Sequence, residues 1–278
     1  MFWYFTTHIL LSLSNMDKKL EILITNDDSY ISKGFKTLIY LCGQIGNVTA
    51  VAPKTPQSGM STALSMGKPL FLNKEEERFT ASGNKITVYS FTGTPADCVK
   101  MAMNNVFSRE HRPDLMFSGI NHGSNASTAS VYSGTLGATT EATIYDVPAI
   151  ALSIDTHDPD ADFTAIEKWF KKIVSNYLEY PPQKGIYLNI NFPNLAPQHI
   201  KGIRFAHQGE GMWIREFEEY ATPHGEPFYW ICGEFLDKAR DSEGDHTLME
   251  QGYITIVPHM VDSTSYKEKG RLEKLWKF

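Results

Sequence analysis

Residues 21–30 read EILITNDDSY, a short apolar segment that ends in two adjacent aspartates. The apolar and β-branched side chains of residues 21–26 predict a buried strand. Side chains along a strand alternate between its faces, so Asp27 and Asp28 cannot both decorate one solvent-facing surface. Two like charges at neighbouring positions also repel each other. A positive group between them would offset that repulsion, and this strand end is therefore the first candidate site.

Strand-like and helical segments alternate through the first two thirds of the chain. Strands are predicted at residues 21–26, 48–53, 86–93, 114–121, 148–155 and 187–193, and helices at 32–42, 94–106, 134–145 and 163–177. Helices of this length between strands favour βαβ units and a mostly parallel sheet that is covered on both faces. We therefore expect an α/β fold with a Rossmann-like three-layer core.

The pattern changes near residue 200, where strand-like segments rich in aromatic residues follow one another without clear helices. This part of the chain predicts a strand-rich extension, of the kind that serves in oligomerisation or as the wall of a pocket. We interpret residues 16–278 as a single domain, with the α/β core at 16–199 and a β-hairpin and C-terminal extension at 200–278.

The composition argues against several classes of protein. The net charge of -6 over 278 residues gives no support for a surface that binds a nucleic acid polymer. The three cysteines form no CxxC or Cys/His cluster, which argues against a disulfide framework or a structural zinc and favours a cytoplasmic location.

Residues 1–15 are too short for a membrane span, and no membrane partner is expected. Because a cytoplasmic-looking start follows at Met16, we interpret residues 1–15 as a non-native start or an unstructured tail, with a weak signal peptide as the alternative.

Polar residues follow several of the predicted strands. In an open parallel sheet the carboxyl ends of the strands meet at one edge, where ligands bind. That edge would bring together Asp27, Asp28, Ser58, Thr94 and the segment 121–125. Their carboxylate, hydroxyl and amide oxygens suit magnesium or manganese better than zinc. Taken singly, each residue has an ordinary interpretation as a turn, a solvated loop or a helix cap, and only the shared edge favours a metal site.

Residues 132–135 read YSGT and precede a predicted helix of small residues. At a helix N-terminus, Ser133 and Thr135 would offer hydroxyls beside free backbone N–H groups, which suits an anion such as phosphate. Gly134 would let the backbone approach that anion closely. Simple helix capping is the alternative, and the GxxxxGK[ST] pattern of a P-loop is absent. His122 could donate a proton, but we assign it no role.

Five ordered segments together resemble a known family: NDDS (26–29), APKTPQSGMS (52–61), TGTPADCV (92–99), SGINHGSN (118–125) and YSGTLGATTEA (132–142). In order and spacing they resemble the SurE survival-protein family of nucleotidases over most of residues 20–193. A later segment, EGDHTLMEQGYITIVPHMVDST (243–264), is similar to the C-terminal end of that family.

The resemblance implies a divalent-metal-dependent phosphatase, a 5′-nucleotidase that releases phosphate from nucleoside 5′-monophosphates and also from 3′-monophosphates and short polyphosphate. It implies one magnesium or manganese ion per subunit and a cytoplasmic homodimer or homotetramer. Carried over by position, the metal ligands are Asp27, Asp28, Ser58 and Asn121, of which the two aspartates are also catalytic. The phosphate-binding residues are Asn125, Ser133, Gly134 and Thr135.

One departure from the family pattern stands against a simple transfer. The family usually has glycine after the aspartate pair, where this chain has Ser29; a positive φ there would cost of order 1 kcal/mol.

The competing hypothesis is a receiver-type or nucleotide-binding regulatory protein without catalysis. A receiver domain needs an aspartate at the end of its third strand, and residues 90–94 read SFTGT instead.

Overall fold

The computed structural model describes residues 19–238 and 241–277. Its strands are β1 (Leu20–Thr25), β2 (Gly46–Pro53), β3 (Leu72–Phe79), β4 (Lys85–Phe91), β5 (Leu115–His122), β6 (Ala149–Ile154), β7 (Ile186–Phe192), β8 (Gly202–Phe205), β9 (Gly211–Ile214), β10 (Phe217–Ala221), β11 (Pro227–Ile231), β12 (Glu234–Asp237) and β13 (Tyr253–Met260). The helices are α1 (Lys33–Gly43), α2 (Pro95–Met101), α3 (Gly134–Ile144), α4 (Thr164–Glu179), α5 (Asp245–Glu250) and α6 (Tyr266–Leu275), with a π-helical turn at Ala102–Val106 and a 3₁₀ segment at Ser127–Val131. The interpretation of residues 1–15 lies outside the described residues.

A nine-stranded sheet forms the centre of the described chain, in the order β3-β4-β2-β1-β5-β6-β7-β13-β8. The six strands from β4 to β7 in that order run parallel, as the alternation of strands and helices predicted. Strand β3 pairs antiparallel with β4, and β13 pairs antiparallel with β7. The mostly parallel α/β sheet predicted from the sequence is therefore confirmed.

Helices cover the sheet on both faces, because side chains of the parallel strands alternate between two apolar layers. In β1, Ile22 and Ile24 pack on one side with Phe35 of α1 and Phe170 of α4. Leu23 points to the other side, where α2 and α3 pack. All three β1 side chains are fully buried, so the first strand lies at the centre of three layers.

The C-terminal extension is present but is not built only of hairpins. Strands β8 and β13 join the edge of the main sheet, whereas β10 and β11 form a separate exposed hairpin and β12 pairs with β9. The expectation of no clear helices between these strands is wrong, because α5 lies between β12 and β13, and α6 follows β13. Helix α6 buries none of its residues, so its sequence lacks the apolar stripe by which helices are predicted. None of the described helices is long and apolar enough to cross a membrane.

The loops that carry the predicted site residues all leave the carboxyl edge of the sheet. The segment after β1 holds the two aspartates, the loop after β2 holds Ser58, and the loop after β5 leads to α3. The pairing of β5 with β6 shifts register between Ser118 and Asn121, and Gly119 has a φ of +130° at this irregularity. Bulges of this kind re-aim side chains near binding sites, and here the strand continues to Asn121 and His122 at the edge.

Candidate active site

A cleft of about 340 Å³ opens at the carboxyl edge of the sheet, within the range of small-molecule sites. Five of the residues predicted for metal or phosphate binding line it: Asp27, Ser58, Asn121, Asn125 and Ser133. The other three predicted residues, Asp28, Gly134 and Thr135, are not part of the lining. Each of them nevertheless interacts with Asp27 or with another residue of the cleft.

Asp27 is the buried carboxylate of the cleft, with 4% of its surface exposed. The hydroxyl of Thr135 donates a hydrogen bond of 2.5 Å to its Oδ1. Burial, followed by the negative charge of Asp28, raises the pKa of Asp27 from 3.8 to about 6, against the opposing effect of the hydrogen bonds from Thr135. Burial beside a second carboxylate therefore disfavours the charged form of Asp27.

Asp28 is held by a histidine that sequence reasoning left without a role. Its Oδ2 accepts a hydrogen bond of 3.1 Å from the backbone N–H of His122 and lies 3.0 Å from the Nδ1 atom of that ring. The ring is fixed in turn by an edge-to-face contact with Phe163 at 5.5 Å. His122 therefore orients one of the two aspartates and also lines the cleft.

The N-terminus of α3 points at Asp27. Ser133 caps the helix by accepting a hydrogen bond from the backbone N–H of Leu136. A side chain at Gly134 would meet Cβ of Asp27 at 2.9 Å and Oδ2 at 3.1 Å, so only glycine allows this approach. The hydroxyl and the backbone N–H of Thr135 both interact with Asp27, so of the first helical N–H groups only that of Gly134 has no such commitment and remains for an anion.

Asn121 and Ser58 complete the oxygen-rich part of the lining. The amide nitrogen of Asn121 donates to the carbonyl of Gly123 at 2.7 Å, so the side-chain oxygen remains for a ligand. Ser58 is exposed on the loop after β2. The backbone N–H of the preceding residue, Gln57, donates to the carbonyl of Asp27 at 2.7 Å and ties this loop to the aspartates.

These donors fit a hard divalent cation. Two carboxylates, an amide oxygen and a hydroxyl form an oxygen-only set of the kind that magnesium and manganese prefer. In residues 19–238 and 241–277, no three His, Cys, Asp or Glu side chains lie close enough together to bind one metal ion between them. A cluster of the kind that binds zinc is therefore absent from this part of the chain. The burial of Asp27 beside a second carboxylate also suits a cation, because a positive charge there would offset the two negative ones.

Ser29 follows the aspartates with a φ of +94°, and it is 3% exposed. The left-handed region is strained for a residue with a Cβ, so we expect Ser29→Gly to raise the free energy of unfolding by about 0.5–1 kcal/mol. Urea unfolding measures the change. Ser32→Gly is the control, because Ser32 has a φ of -60° and its hydroxyl caps α1, so this substitution should lower stability slightly. Equal effects of the two substitutions would contradict the strain.

Several residues at the site escaped sequence reasoning. Trp213 of β9 and His157 line the cleft, and Asn189 and Asn191 of β7 lie behind it. A usable signal existed for the asparagines, because a strand predicted to be buried carried polar residues at alternate positions. Nothing local marked Trp213, which reaches the cleft only through the fold of the extension.

The fold and the cleft define a Rossmann-like α/β protein with an acidic, oxygen-rich site at the carboxyl edge of its sheet. The family model described as Survival protein SurE matches residues 22–215. The 5′-nucleotidase SurE of Flavobacterium psychrophilum is 39% identical over 90% of this chain and 95% of its own length, and that of Cytophaga hutchinsonii is 39% identical over 95% and 99%. The crystal structure of the SurE protein from Aquifex aeolicus superposes with a TM-score of 0.75 at 32% identity, covering 92% of this chain and 99% of that one. The chain belongs to the SurE family.

Proposed function

We propose that this protein is a divalent-metal-dependent phosphatase that hydrolyses nucleoside 5′-monophosphates to nucleoside and phosphate. One observation carries the proposal: Asp27, buried and with a raised pKa, lies in a cleft between a second aspartate and the N-terminus of α3. A cation beside the aspartates and an anion at the helix N-terminus are the two charges that such an arrangement accommodates. The family relationship and the activity in the names of the relatives support the same conclusion.

The metal ligands that we propose are Asp27, Asp28, Ser58 and Asn121. A divalent cation bound by them would polarise a phosphoryl oxygen and lower the pKa of a bound water. Ser58 lies on an exposed loop, so its contribution depends on the position of that loop. The two aspartates are the indispensable members, because they supply all the negative charge of the set.

We assign the binding of the phosphate to Asn125, Ser133, Gly134 and Thr135. The backbone N–H of Gly134 and the positive end of the α3 dipole would stabilise negative charge on the phosphoryl group as it is transferred. Asn125 contributes its side-chain amide from the loop after β5. Gly134 has the role of a spacer, since it keeps the helix N-terminus in contact with Asp27.

The nucleoside part of the substrate requires a surface beyond the phosphate. Trp213 and Tyr132 line the same cleft, and an edge-to-face contact with Phe235 at 5.9 Å fixes the indole ring. Aromatic side chains bind nucleobases by stacking with little preference among the bases. An open cleft of this kind is compatible with 3′-monophosphates and short polyphosphate, which we include among the proposed substrates.

We further propose a cytoplasmic homodimer or homotetramer that assembles through the extension. The hairpin of β10 and β11 exposes large apolar side chains, including Phe217, Trp230 and Ile231. Exposed apolar clusters of this kind mark protein–protein contacts. Cys42, Cys98 and Cys232 are all free, which is compatible with a reducing compartment.

The test is phosphate release from a panel of nucleoside 5′- and 3′-monophosphates, ribose 5-phosphate and tripolyphosphate, with manganese, magnesium or EDTA. We expect release from the 5′-monophosphates that requires the cation. Asp28→Asn should reduce this release by at least about 100-fold, because it removes a charged ligand and weakens the contact with His122. Asp155→Asn is the control for negative charge at this edge: Asp155 follows β6, and its charge acts on His157 and His246 but not on Asp27.

Full metal-dependent activity of Asp28→Asn would refute the assignment of the aspartates. Binding of nucleotides without phosphate release under any condition would favour the regulatory alternative. Comparable losses in Asp28→Asn and Asp155→Asn would indicate a general effect of charge at this edge.

A further inference from the structure

Two buried asparagines on β7 have no role in the proposed function. Asn189 and Asn191 are both 0% exposed and point to the same side of the strand. Burying an amide side chain without partners costs several kcal/mol. Their hydrogen bonds therefore show what this part of the sheet is built to hold.

The hydrogen bonds form a closed ring through Asn125. The backbone N–H of Asn125 donates to Oδ1 of Asn191 at 2.8 Å, and Nδ2 of Asn191 donates to Oδ1 of Asn189 at 3.1 Å. Nδ2 of Asn189 then donates to the backbone carbonyl of Asn125 at 2.9 Å, which closes the ring. Both backbone polar groups of Asn125 are thus held by side chains of a strand more than sixty residues away.

A fourth contact fixes the side chain of Asn125. Its Nδ2 donates to the hydroxyl of Ser153, a fully buried residue of β6, at 2.8 Å. One N–H of that amide is therefore committed, while the second N–H and the oxygen remain for the cleft. The loop after β5 crosses the ends of β6 and β7 and is held by polar side chains from both strands.

We propose that Asn189, Asn191 and Ser153 are positioning residues that hold Asn125 in register with the bound phosphate. This inference rests on the proposed function, in which Asn125 contacts the phosphoryl group. A shift of about 1 Å in a group that stabilises the transition state can reduce the rate 100-fold, whereas binding of the rest of the substrate is less affected. The effect of breaking the ring therefore falls on kcat more than on KM.

The experiment compares Asn191→Ala, Asn189→Ala and the double variant, with adenosine 5′-monophosphate and manganese. We expect kcat to fall about 10- to 100-fold in each single variant, with a smaller change in KM. Because either substitution opens the ring, the double variant should lose little more than each single one. Additive losses of kcat would contradict a shared ring.

Asn84→Ala is the matched control. Asn84 is also a buried asparagine, and its Nδ2 donates to the carbonyl of Gly43 at 3.0 Å, but it lies at the opposite edge of the sheet. This variant should lose stability and keep the wild-type kcat. If the β7 variants lose kcat only as far as Asn84→Ala does, their role is structural and the proposal is wrong.

Hydrogen exchange at the Asn125 amide tests the ring without reference to activity. We expect this amide to be protected in the wild type and to exchange faster in Asn191→Ala, and unchanged protection would overturn the ring. If the alanine variants fail to fold, Ser153→Ala is a milder variant that removes only the contact with the Asn125 side chain. We expect it to lower kcat while the backbone amide of Asn125 stays protected. An unchanged kcat would show that the hydrogen bond from Asn125 to Ser153 does not position the side chain. A wild type that releases no phosphate would refute the proposed function, and the exchange result would still decide the ring.

Discussion

Asp27→Asn should abolish metal-dependent phosphate release and at the same time stabilise the metal-free protein. The loss of activity should be at least about 100-fold, since a charged ligand is replaced by a neutral one. The gain in stability follows from the burial of Asp27, which together with Asp28 raises its pKa to about 6. An asparagine can still accept the Thr135 hydroxyl through its oxygen, so the substitution removes the charge and preserves the contact.

The sign of the pH dependence follows from linkage. The folded protein binds a proton at Asp27 more tightly than the unfolded chain, whose aspartate titrates near 3.8. Between pH 3.8 and 6 the unfolded state therefore loses its proton first, and stability falls as the pH rises. The pKa of Asp27 differs by about 2 units between the folded and unfolded states, and each unit corresponds to ~1.4 kcal/mol. Above pH 6 the folded wild type is therefore less stable by about 3 kcal/mol than a protein with an uncharged side chain at position 27.

Urea unfolding in EDTA at pH 5 and pH 8 measures this effect as the difference between wild type and Asp27→Asn. We expect the variant's advantage to be larger at pH 8 and to approach about 3 kcal/mol. Manganese should then stabilise the wild type by more than it stabilises the variant. Asp160→Asn, on an exposed loop, controls for the loss of one surface charge. Equal stabilisation of wild type and Asp27→Asn by manganese would place the cation elsewhere.

The parts of the site that could be predicted are those with a local signature. Residues 21–26 form β1 because their apolar and β-branched side chains suit a strand buried on both faces, and parallel topology places the following aspartates at the carboxyl edge. The ordinary interpretation as a helix cap holds for Thr94, and its signature is equally local, since its hydroxyl accepts from the backbone N–H of Asp97 within one helical turn.

The parts that could not be predicted depend on contacts distant in sequence or on side chains of unexpected polarity. Strand β3 carries the segment KEEER on an exposed sheet edge, where charged residues are tolerated, so it lacks the apolar alternation of a strand. The contacts of Asn125 with β7 and of Ser127 with Asp245 span 66 and 118 residues. The pattern of residues within one segment of sequence does not predict hydrogen bonds between residues so far apart.

Asp245 ties the extension to the wall of the cleft, and its removal should have the largest effect on stability. This carboxylate is 0% exposed and accepts hydrogen bonds from three backbone N–H groups. Those of Ser127 and Gly209 lie 2.9 Å from its oxygens, and that of His246 lies 2.8 Å away. The three donors belong to the 3₁₀ segment beside the cleft, the loop before β9 and the first turn of α5.

We expect Asp245→Ala to lower the free energy of unfolding by about 3 kcal/mol, because one buried and two partly buried backbone N–H groups lose a charged acceptor together. Asp245→Asn retains one acceptor oxygen and should lose about half as much. Asp158→Ala is the control, because Asp158 is exposed and accepts one hydrogen bond, from the backbone N–H of Asp160. Water can replace that acceptor, so this substitution should lower the free energy of unfolding by less than ~1 kcal/mol.

Since Ser127 begins the segment that carries Ala129 to the cleft, Asp245→Ala should also impair phosphate release, even at temperatures where the variant remains folded. Urea unfolding and kinetics on the same samples separate the two effects. A variant that loses stability but retains the wild-type kcat would show that this wall of the cleft does not depend on the extension.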